Sequence, residues 1–248
     1  MATDTVPYSR LAQSYDFSLG LPIFRRTRRI FEWVVRRFGL RFRDAADIGC
    51  GTGLFCHHLA SRWRTPIFGV DLSPAMLRVA SSRCRGLPVR LACQDMSRLS
   101  LPHPVDLITC HFDAINHLTE PAAVRRTLHR VHRALRPGGH FLFDALTTCQ
   151  RLAPGVVHTY QREKNGRRMT QHVCWSPSSH LLKTVVLLGS SASPSVTRER
   201  HHERLYPPGA LLAWLRRAGF RVRALVDAST LRPTRRCSPR LVILARKE

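Results

Sequence analysis

Residues 45–53 read Ala-Ala-Asp-Ile-Gly-Cys-Gly-Thr-Gly, and an acid, Asp71, ends the next apolar run. Ala45–Ile48 is short and apolar enough for a buried strand. Gly49, Gly51 and Gly53 let the chain turn tightly and lie against a ligand with no Cβ in the way. Leu54–Arg62 then shows helical spacing through Leu54, Phe55, His58, Leu59 and Arg62, and Pro66–Val70 reads as a second strand. Asp71 therefore stands about 20 residues beyond the turn, where a carboxylate meets the hydroxyls of a nucleoside ribose.

Two departures separate this pattern from a dinucleotide site. Leu54 stands where the third glycine of that fingerprint belongs, and Asp47 places negative charge two residues before Gly49, where a pyrophosphate would be repelled. A carboxylate there suits a ligand with a cationic amino-acid end. On these residues the chain resembles the class I S-adenosylmethionine-dependent methyltransferases, whose first motif is Asp-x-Gly-x-Gly-x-Gly. The resemblance implies S-adenosylmethionine as cofactor, with Asp47, Gly49, Cys50, Gly51 and Gly53 around it. Asp71-Leu72-Ser73-Pro74-Ala75-Met76-Leu77 is similar to the family's second motif, which implies a ribose role for Asp71 with Leu72 and Met76 beside the cofactor. Gln94-Asp95-Met96 is similar to the adenine-contacting loop: Asp95 would accept from the adenine amino group and Met96 would supply polarisable surface. A turn or cap aspartate is the plainer alternative for Asp95. Leu135-Arg136-Pro137-Gly138-Gly139 resembles the turn before strand five. Tyr8-Ser9-Arg10-Leu11-Ala12-Gln13-Ser14-Tyr15-Asp16 resembles the family's opening segment, in which a tyrosine matching Tyr15 closes over cofactor or substrate.

Substrate identity should be written after strand four, in Thr109-Cys110-His111-Phe112-Asp113-Ala114-Ile115-Asn116-His117-Leu118. This segment resembles that of small-molecule methyltransferases, including amino-sugar N-methyltransferases with a histidine matching His117. It lacks the Asn-Pro-Pro-Tyr or Asp-Pro-Pro-Tyr of enzymes that methylate base amino groups. Methyl transfer from a sulfonium is an in-line displacement with the donor already activated, so proximity, alignment and desolvation dominate, contributing ~7–11 kcal/mol in favourable cases. An amine acceptor needs only to lose a proton, whereas a hydroxyl needs a nearby base. His117 is the first candidate to orient or deprotonate the acceptor and His111 the second; a capping or packing role is the alternative for His117. Tyr15, Asp113, Asn116 and His117 are expected at the acceptor, with a structural hydrogen bond as the alternative for Asp113. Cys110 is expected to line the cofactor pocket and Cys50 to pack in the turn, since no covalent intermediate is needed. His201 and His202, on a later strand, are further candidates for the cleft.

The elements that must position these residues alternate. Strands are expected at Ala45–Ile48, Pro66–Val70, Val89–Ala92, Val105–Thr109 and Gly139–Asp144, with helices at Leu54–Arg62, Pro74–Arg83 and Pro121–Leu135. The implied fold class is α/β, a Rossmann-like, doubly wound, mostly parallel seven-stranded sheet. Pro22–Phe38 reads as a basic amphipathic helix that packs on the sheet and solvates its arginines; a membrane or nucleic-acid contact is the alternative. After residue 148 the pattern changes to four strands separated by hairpin-like turns at Glu163-Lys164-Asn165-Gly166 and Ser176-Pro177-Ser178-Ser179. The α/β pattern then resumes. We expect a cofactor-binding core over 1–148, an antiparallel insertion over the cleft at 149–205, and a helix and strands completing the core over 206–248.

The bulk properties bound the rest. The 248 residues suffice for one α/β domain with a full core. No apolar run is long enough to span a membrane, and no secretory leader is evident. Eight scattered cysteines with no Cys-x-x-Cys pair point to buried free thiols in a reducing cytoplasm, with no metal site. A formal charge of +24 would draw in polyanions, so an RNA- or ribosome-directed methyltransferase is the alternative function. Only three of the forty basic residues are lysines, however, which reads as a compositional arginine bias spread along the chain. The sixteen acids are few, and Asp47, Asp71, Asp95, Asp106, Asp113 and Asp144 fall at or near expected strand ends, where open α/β sheets bind ligands. A small-molecule acceptor is the expected partner.

Overall fold

The computed structural model describes residues 8–9, 11–190, 193–234 and 238–248. The chain opens with α1 (Ala12–Tyr15), a π-wound stretch (Asp16–Gly20) and α2 (Leu21–Phe38). Strand and helix then alternate: β1 (Ala45–Ile48), α3 (Leu54–Trp63), β2 (Ile67–Asp71), α4 (Pro74–Arg83), β3 (Val89–Cys93), β4 (Val105–Cys110), α5 (Pro121–Ala134) and β5 (Leu135–Leu146). Four strands follow, β6 (Val157–Lys164), β7 (Arg167–Ser176), β8 (Leu181–Ser190) and β9 (Ser193–Arg204), and then α6 (Pro208–Arg217), β10 (Phe220–Asp227) and β11 (Arg240–Lys247).

The main sheet runs β10-β11-β5-β4-β1-β2-β3. β1 to β5 pair in parallel, while β11 runs antiparallel to both β5 and β10. Helices cover both faces. Val124, Leu128 and Val131 of α5 and Leu211 and Leu215 of α6 join one apolar core. Ile30, Phe31 and Val34 of α2 join Phe55 and Leu59 of α3 in the other. With both faces covered, the central β1 is buried along its whole length, although one of its four residues is an aspartate. The arginines of α2 lie on its exposed side while Thr27, Ile30, Phe31 and Val34 are buried, the packing expected from the sequence. Among the described residues no helix is long and apolar enough to cross a membrane.

Strand five is longer than expected. Pro137-Gly138-Gly139 does not break the chain ahead of it but forms an irregularity inside it, where pairing to β4 jumps from Val105–Leu135 to Leu107–His140. Asp106 also departs from expectation. It lies at the amino end of β4, where Arg136 bonds both Asp44 and Asp106 and Arg43 adds its own bonds to Asp106. Burial would raise the Asp106 pKa, but the bonds from Arg43 and Arg136 hold it down to about 2. This cluster ties strand starts together at the amino end of β4. Cys149 corrects the expectation of free thiols: it is disulfide-bonded, a pairing made by the fold and not by sequence spacing. Cys50, Cys56, Cys84 and Cys110 are buried and free, and Cys237 lies outside the described residues.

The insertion is a second, four-stranded antiparallel meander, β6-β7-β8-β9. Its first hairpin turns on Asn165 and Gly166, with φ of 51° and 70°, the positive pair that a two-residue turn requires. Several contacts fasten it to the core. Leu11 packs with Met169 and Val186 of the insertion. Asn116, fully buried, donates through Nδ2 to Leu146 O at 2.9 Å and Arg204 O at 2.6 Å and accepts from Leu146 N at 2.8 Å. The Tyr206 hydroxyl adds a bond to Leu118 O. Since truncation would remove three hydrogen bonds to backbone groups at a buried junction, Asn116→Ala should lower folding stability by about 2–3 kcal/mol in chemical denaturation. A change within experimental error would show that these bonds are replaceable by water.

Candidate active site

The glycine turn between β1 and α3 is set by an acid from the next strand. Asp71 Oδ2 accepts from Gly51 N at 2.8 Å, and Oδ1 accepts from Ser73 N at 2.8 Å. Each carboxylate oxygen keeps a second lone pair for a ligand hydroxyl. Burial raises the Asp71 pKa, and the backbone hydrogen bonds from Ser73 and Gly51 oppose it. Gly49 and Gly51 have φ of 71° and 54°, a region costly for side chains. A Cβ on Gly49 would fall 2.7 Å from Ala114 Cβ, whereas one on Gly51 would meet nothing within 4 Å. The first glycine is therefore needed for packing under the turn, and the second faces open space.

That space is a cleft of about 980 Å³, counted out to open solvent. The order of the strands lays out its wall. Gln94, Asp95 and Met96 follow β3, Asp71, Leu72 and Met76 follow β2, and Gly49–Thr52 follow β1. His111, Phe112, Ala114, His117 and Leu118 follow β4, and Tyr8 and Tyr15 come from the N-terminal segment. Leu72 is 53% exposed, a large apolar side chain left open beside the carboxylate. Asp95 caps the short helix Met96–Arg98 by accepting from Ser97 N at 2.7 Å, and it also lines the cleft. Cap and ligand roles are compatible, because a carboxylate has lone pairs for both.

Several expected site residues lie elsewhere. Gly53 has φ of 75°, and a Cβ there would fall 2.8 Å from Ala80 Cβ, so it serves the packing of α3 on α4. Asp47 is buried beneath the turn, accepting from Thr109 Oγ1 at 2.7 Å. Cys110 does not line the cleft; it is fully buried in the core shared with α5. Asn116 does not face the acceptor either, because its amide is engaged by Leu146 and Arg204. The cause is a backbone feature with no sequence signal. Phe112 and Asp113 both adopt positive φ, 60° and 52°, which turns the chain as it leaves β4. Asp144 holds this strained pair, accepting from Phe112 N at 2.8 Å and Asp113 N at 3.1 Å. Arg240 bonds Asp144 and Asp113, the latter at 3.0 Å. Burial would raise the Asp144 pKa, but Arg240 and His111 bring it down to about 2. Asp113 thus makes a structural ion pair and does not line the cleft. His111 does line it, although only 4% exposed, with Nδ1 3.8 Å from Asp144 Oδ1.

The far end of the cleft joins the expected His117 and Tyr15 to residues that sequence reading passed over, Tyr8, Glu199 and Glu203. His117 Nε2 is 2.9 Å from the Tyr8 hydroxyl and 3.7 Å from Glu203 Oε1 on β9. Burial pushes the His117 pKa down to about 4. Burial, and then the charge of Asp113, raise the Glu203 pKa well above the usual carboxylate range. Tyr15 stands edge-on to Tyr8, ring centroids 5.4 Å apart, and its pKa is raised by burial and by Asp113. Asp16 accepts from Thr52 Oγ1 at 2.6 Å and pairs with Arg83, whose Nε donates to Thr52 O at 2.9 Å, so the N-terminal segment is latched to the glycine turn. Glu199, His201 and Glu203 are buried while Arg200 and His202 between them are exposed. His201 stacks on Tyr8, and neither His201 nor His202 lines the cleft. The available signal was Glu-Arg-His-His-Glu itself, two of sixteen acids within five residues on one strand face.

Comparison with known proteins agrees with this geometry. Residues 45–139 match the methyltransferase domain family. A Geobacillus sp. (strain WCH70) protein that carries a methyltransferase name but no named acceptor is 28% identical over 97% of this chain and 99% of its own length. The dTDP-3-amino-3,6-dideoxy-alpha-D-glucopyranose N,N-dimethyltransferase of Streptomyces fradiae is 30% identical over 56% of this chain, a match that spans 53% of that enzyme, about half. The crystal structure of an S-adenosylmethionine-dependent methyltransferase from Clostridium acetobutylicum ATCC 824 superposes with a TM-score of 0.82 at 23% identity, covering 97% of this chain and 98% of that one. Residues 45–139 thus carry a methyltransferase domain, laid on the strand, turn and carboxylate described above, within a fold shared from end to end with an S-adenosylmethionine-dependent methyltransferase.

Proposed function

We infer that the chain transfers a methyl group from S-adenosylmethionine to an amine nitrogen of a small molecule. The observation that carries this reading is the composition of the cleft wall. Asp71 and Asp95 line it, and among the described residues no arginine or lysine does, in a chain that has forty. A polyanion bringing its acceptor to this cleft would want the positive charge gathered there; a small neutral or cationic acceptor would not.

The residues present fit the cofactor. Asp71 has lone pairs for the ribose hydroxyls, Gly51 leaves room beside it, and Leu72, Met76 and Met96 offer apolar surface flanking the place for adenine. S-adenosylmethionine, when bound, supplies a methyl group already activated on sulfur. The protein's part is then to align the acceptor and exclude water, with Tyr8 and Tyr15 covering the far end. The wall around that end favours nitrogen over oxygen. A hydroxyl acceptor needs a base, and a histidine whose pKa burial lowers to about 4 is a weak one. Burial raises the pKa of both tyrosines there, helped at Tyr8 by Tyr15 and then Glu203 and at Tyr15 by Asp113, so the same surroundings would oppose an oxyanion on the acceptor. An amine can enter neutral and needs no such base. The amino-sugar acceptor in the name of the Streptomyces relative supports the same choice.

Asp47 ties the cofactor to stability. Burial raises its pKa to about 6 from an ordinary 3.8. Folded protein therefore holds this proton more tightly than unfolded chain, and stability falls as pH rises from near 4 through about 6. A cation at the turn, such as the amino-acid end of the cofactor, would offset the burial of that charge. Asp47→Asn should raise the ligand-free melting temperature at pH 8, removing up to ~3 kcal/mol of burial cost, with little change at pH 4. It should also weaken cofactor binding in calorimetry. Equal pH dependence in both proteins would contradict the assignment. The reading as a whole is tested by transfer of labelled methyl from S-adenosylmethionine into host extract split into small-molecule, RNA and protein fractions. Label is expected in the small-molecule fraction, on nitrogen; label in RNA would overturn the reading.

A further inference from the structure

Tyr8 is held more firmly than a cleft-lining ring requires. Glu199 Oε2 accepts from its backbone N at 3.1 Å, while Glu199 Oε1 accepts from Leu11 N at 2.8 Å. His201 stacks on its ring, centroids 4.5 Å apart with 28° between the planes. Tyr15 and His117 each stand edge-on at 5.4 Å, and His117 Nε2 meets the hydroxyl at 2.9 Å. The residue adopts φ of 66°, a conformation that a tyrosine keeps only where its surroundings impose it. Three parts of the fold, the N-terminal segment, strand β9 and the turn after β4, converge on this one side chain.

The hydrogen-bond direction follows from the histidine. Burial pushes the His117 pKa down to about 4 and so favours the neutral ring, which has one accepting nitrogen. In the tautomer with the proton on Nδ1, Nε2 is that nitrogen and accepts from the Tyr8 O–H at 2.9 Å. The Tyr8 oxygen then has lone pairs left for a donor within the cleft, which the residue lines. Tyr8 sits with the β4 end of the wall, beyond the glycine turn and opposite the Asp95 end, so the part of a ligand that reaches it lies past the ribose.

Resting on the amine reading above, we propose that Tyr8 Oη accepts the hydrogen bond from the N–H of the acceptor amine and so aims the nitrogen lone pair at the methyl carbon, with His117, Glu199 and His201 as positioning residues that hold it there. In the transfer the lone pair forms the N–C bond as the C–S bond breaks, and that bonding pair stays on sulfur. The number of protons on nitrogen does not change in this step. Tyr8 therefore orients and moves no proton, and the histidine's weak basicity is no handicap.

Sinefungin is a cofactor analogue that carries an amino group in place of the transferable methyl, so it places N–H donors at the transfer point. Calorimetry on the full chain compares it with S-adenosylhomocysteine, which has no such donor. The wild type should prefer sinefungin, and Tyr8→Phe should reduce that preference about tenfold while S-adenosylhomocysteine affinity stays within about twofold. His117→Ala should reduce the preference too, and should add little in the Tyr8→Phe background because both act through one bond. A general loosening of the cleft would weaken both ligands together and leave their ratio unmoved, so an unchanged ratio in Tyr8→Phe overturns the proposal. Failure of both ligands to bind the wild type would overturn the cofactor reading, and the proposal with it.

Discussion

Carboxylates are costly to bury, and this chain, with only sixteen acids, buries Asp47, Asp144, Glu199 and Glu203 around one end of one sheet. Each is tolerated for a visible reason. Asp47 takes a hydroxyl bond from Thr109, Asp144 takes two backbone amides and an arginine, Glu199 takes two amides, and burial beside Asp113 pushes Glu203 towards its neutral form. The bonds that make burial bearable also fix the backbone of every segment that frames the cleft. Asp71, half-buried at the same end, does this most directly by holding the glycine turn open with the lone pairs it does not need for a ligand.

The cleft is consequently a product of both sheets. The parallel sheet supplies the cofactor wall, but its far end is completed by Tyr8 from the N-terminal segment, and Tyr8 is held by β9 of the insertion. Asn116 and Tyr206 join the insertion to the core at the turn that carries His117. Changes in the insertion can thus alter the acceptor end while leaving the cofactor wall untouched. Among the described residues no arginine or lysine lines the cleft, and the arginines of α2 lie on its exposed face.

Most of the scaffold was legible in the sequence. β1 and α4 fall on the expected residues, and the remaining strands of the core differ by a few residues at their ends. Those elements are marked by short-range signals: glycine at the turn, proline at the first helical position, and apolar runs of strand length. The cofactor residues at the turn were legible for the same reason. The acceptor end was less so. Asp113 and Asn116 were expected there as members of the segment that leaves strand four, but two consecutive non-glycine residues with positive φ redirect the chain, and no residue type announces that. Asp106, near the start of β4, belongs to the opposite end of the sheet, a distinction that depends on strand direction. Tyr8 and Glu199 lie 191 positions apart, and only the fold brings them together.

The central claim is that the glycine turn and the Asp71 carboxylate form the cofactor's ribose site. Calorimetry of S-adenosylhomocysteine against the wild type and Asp71→Ala tests it most directly. The account predicts that the variant loses more than about tenfold in affinity, because two hydroxyl bonds and the hold on Gly51 disappear together. Wild-type affinity in Asp71→Ala would contradict it and move the cofactor away from the turn.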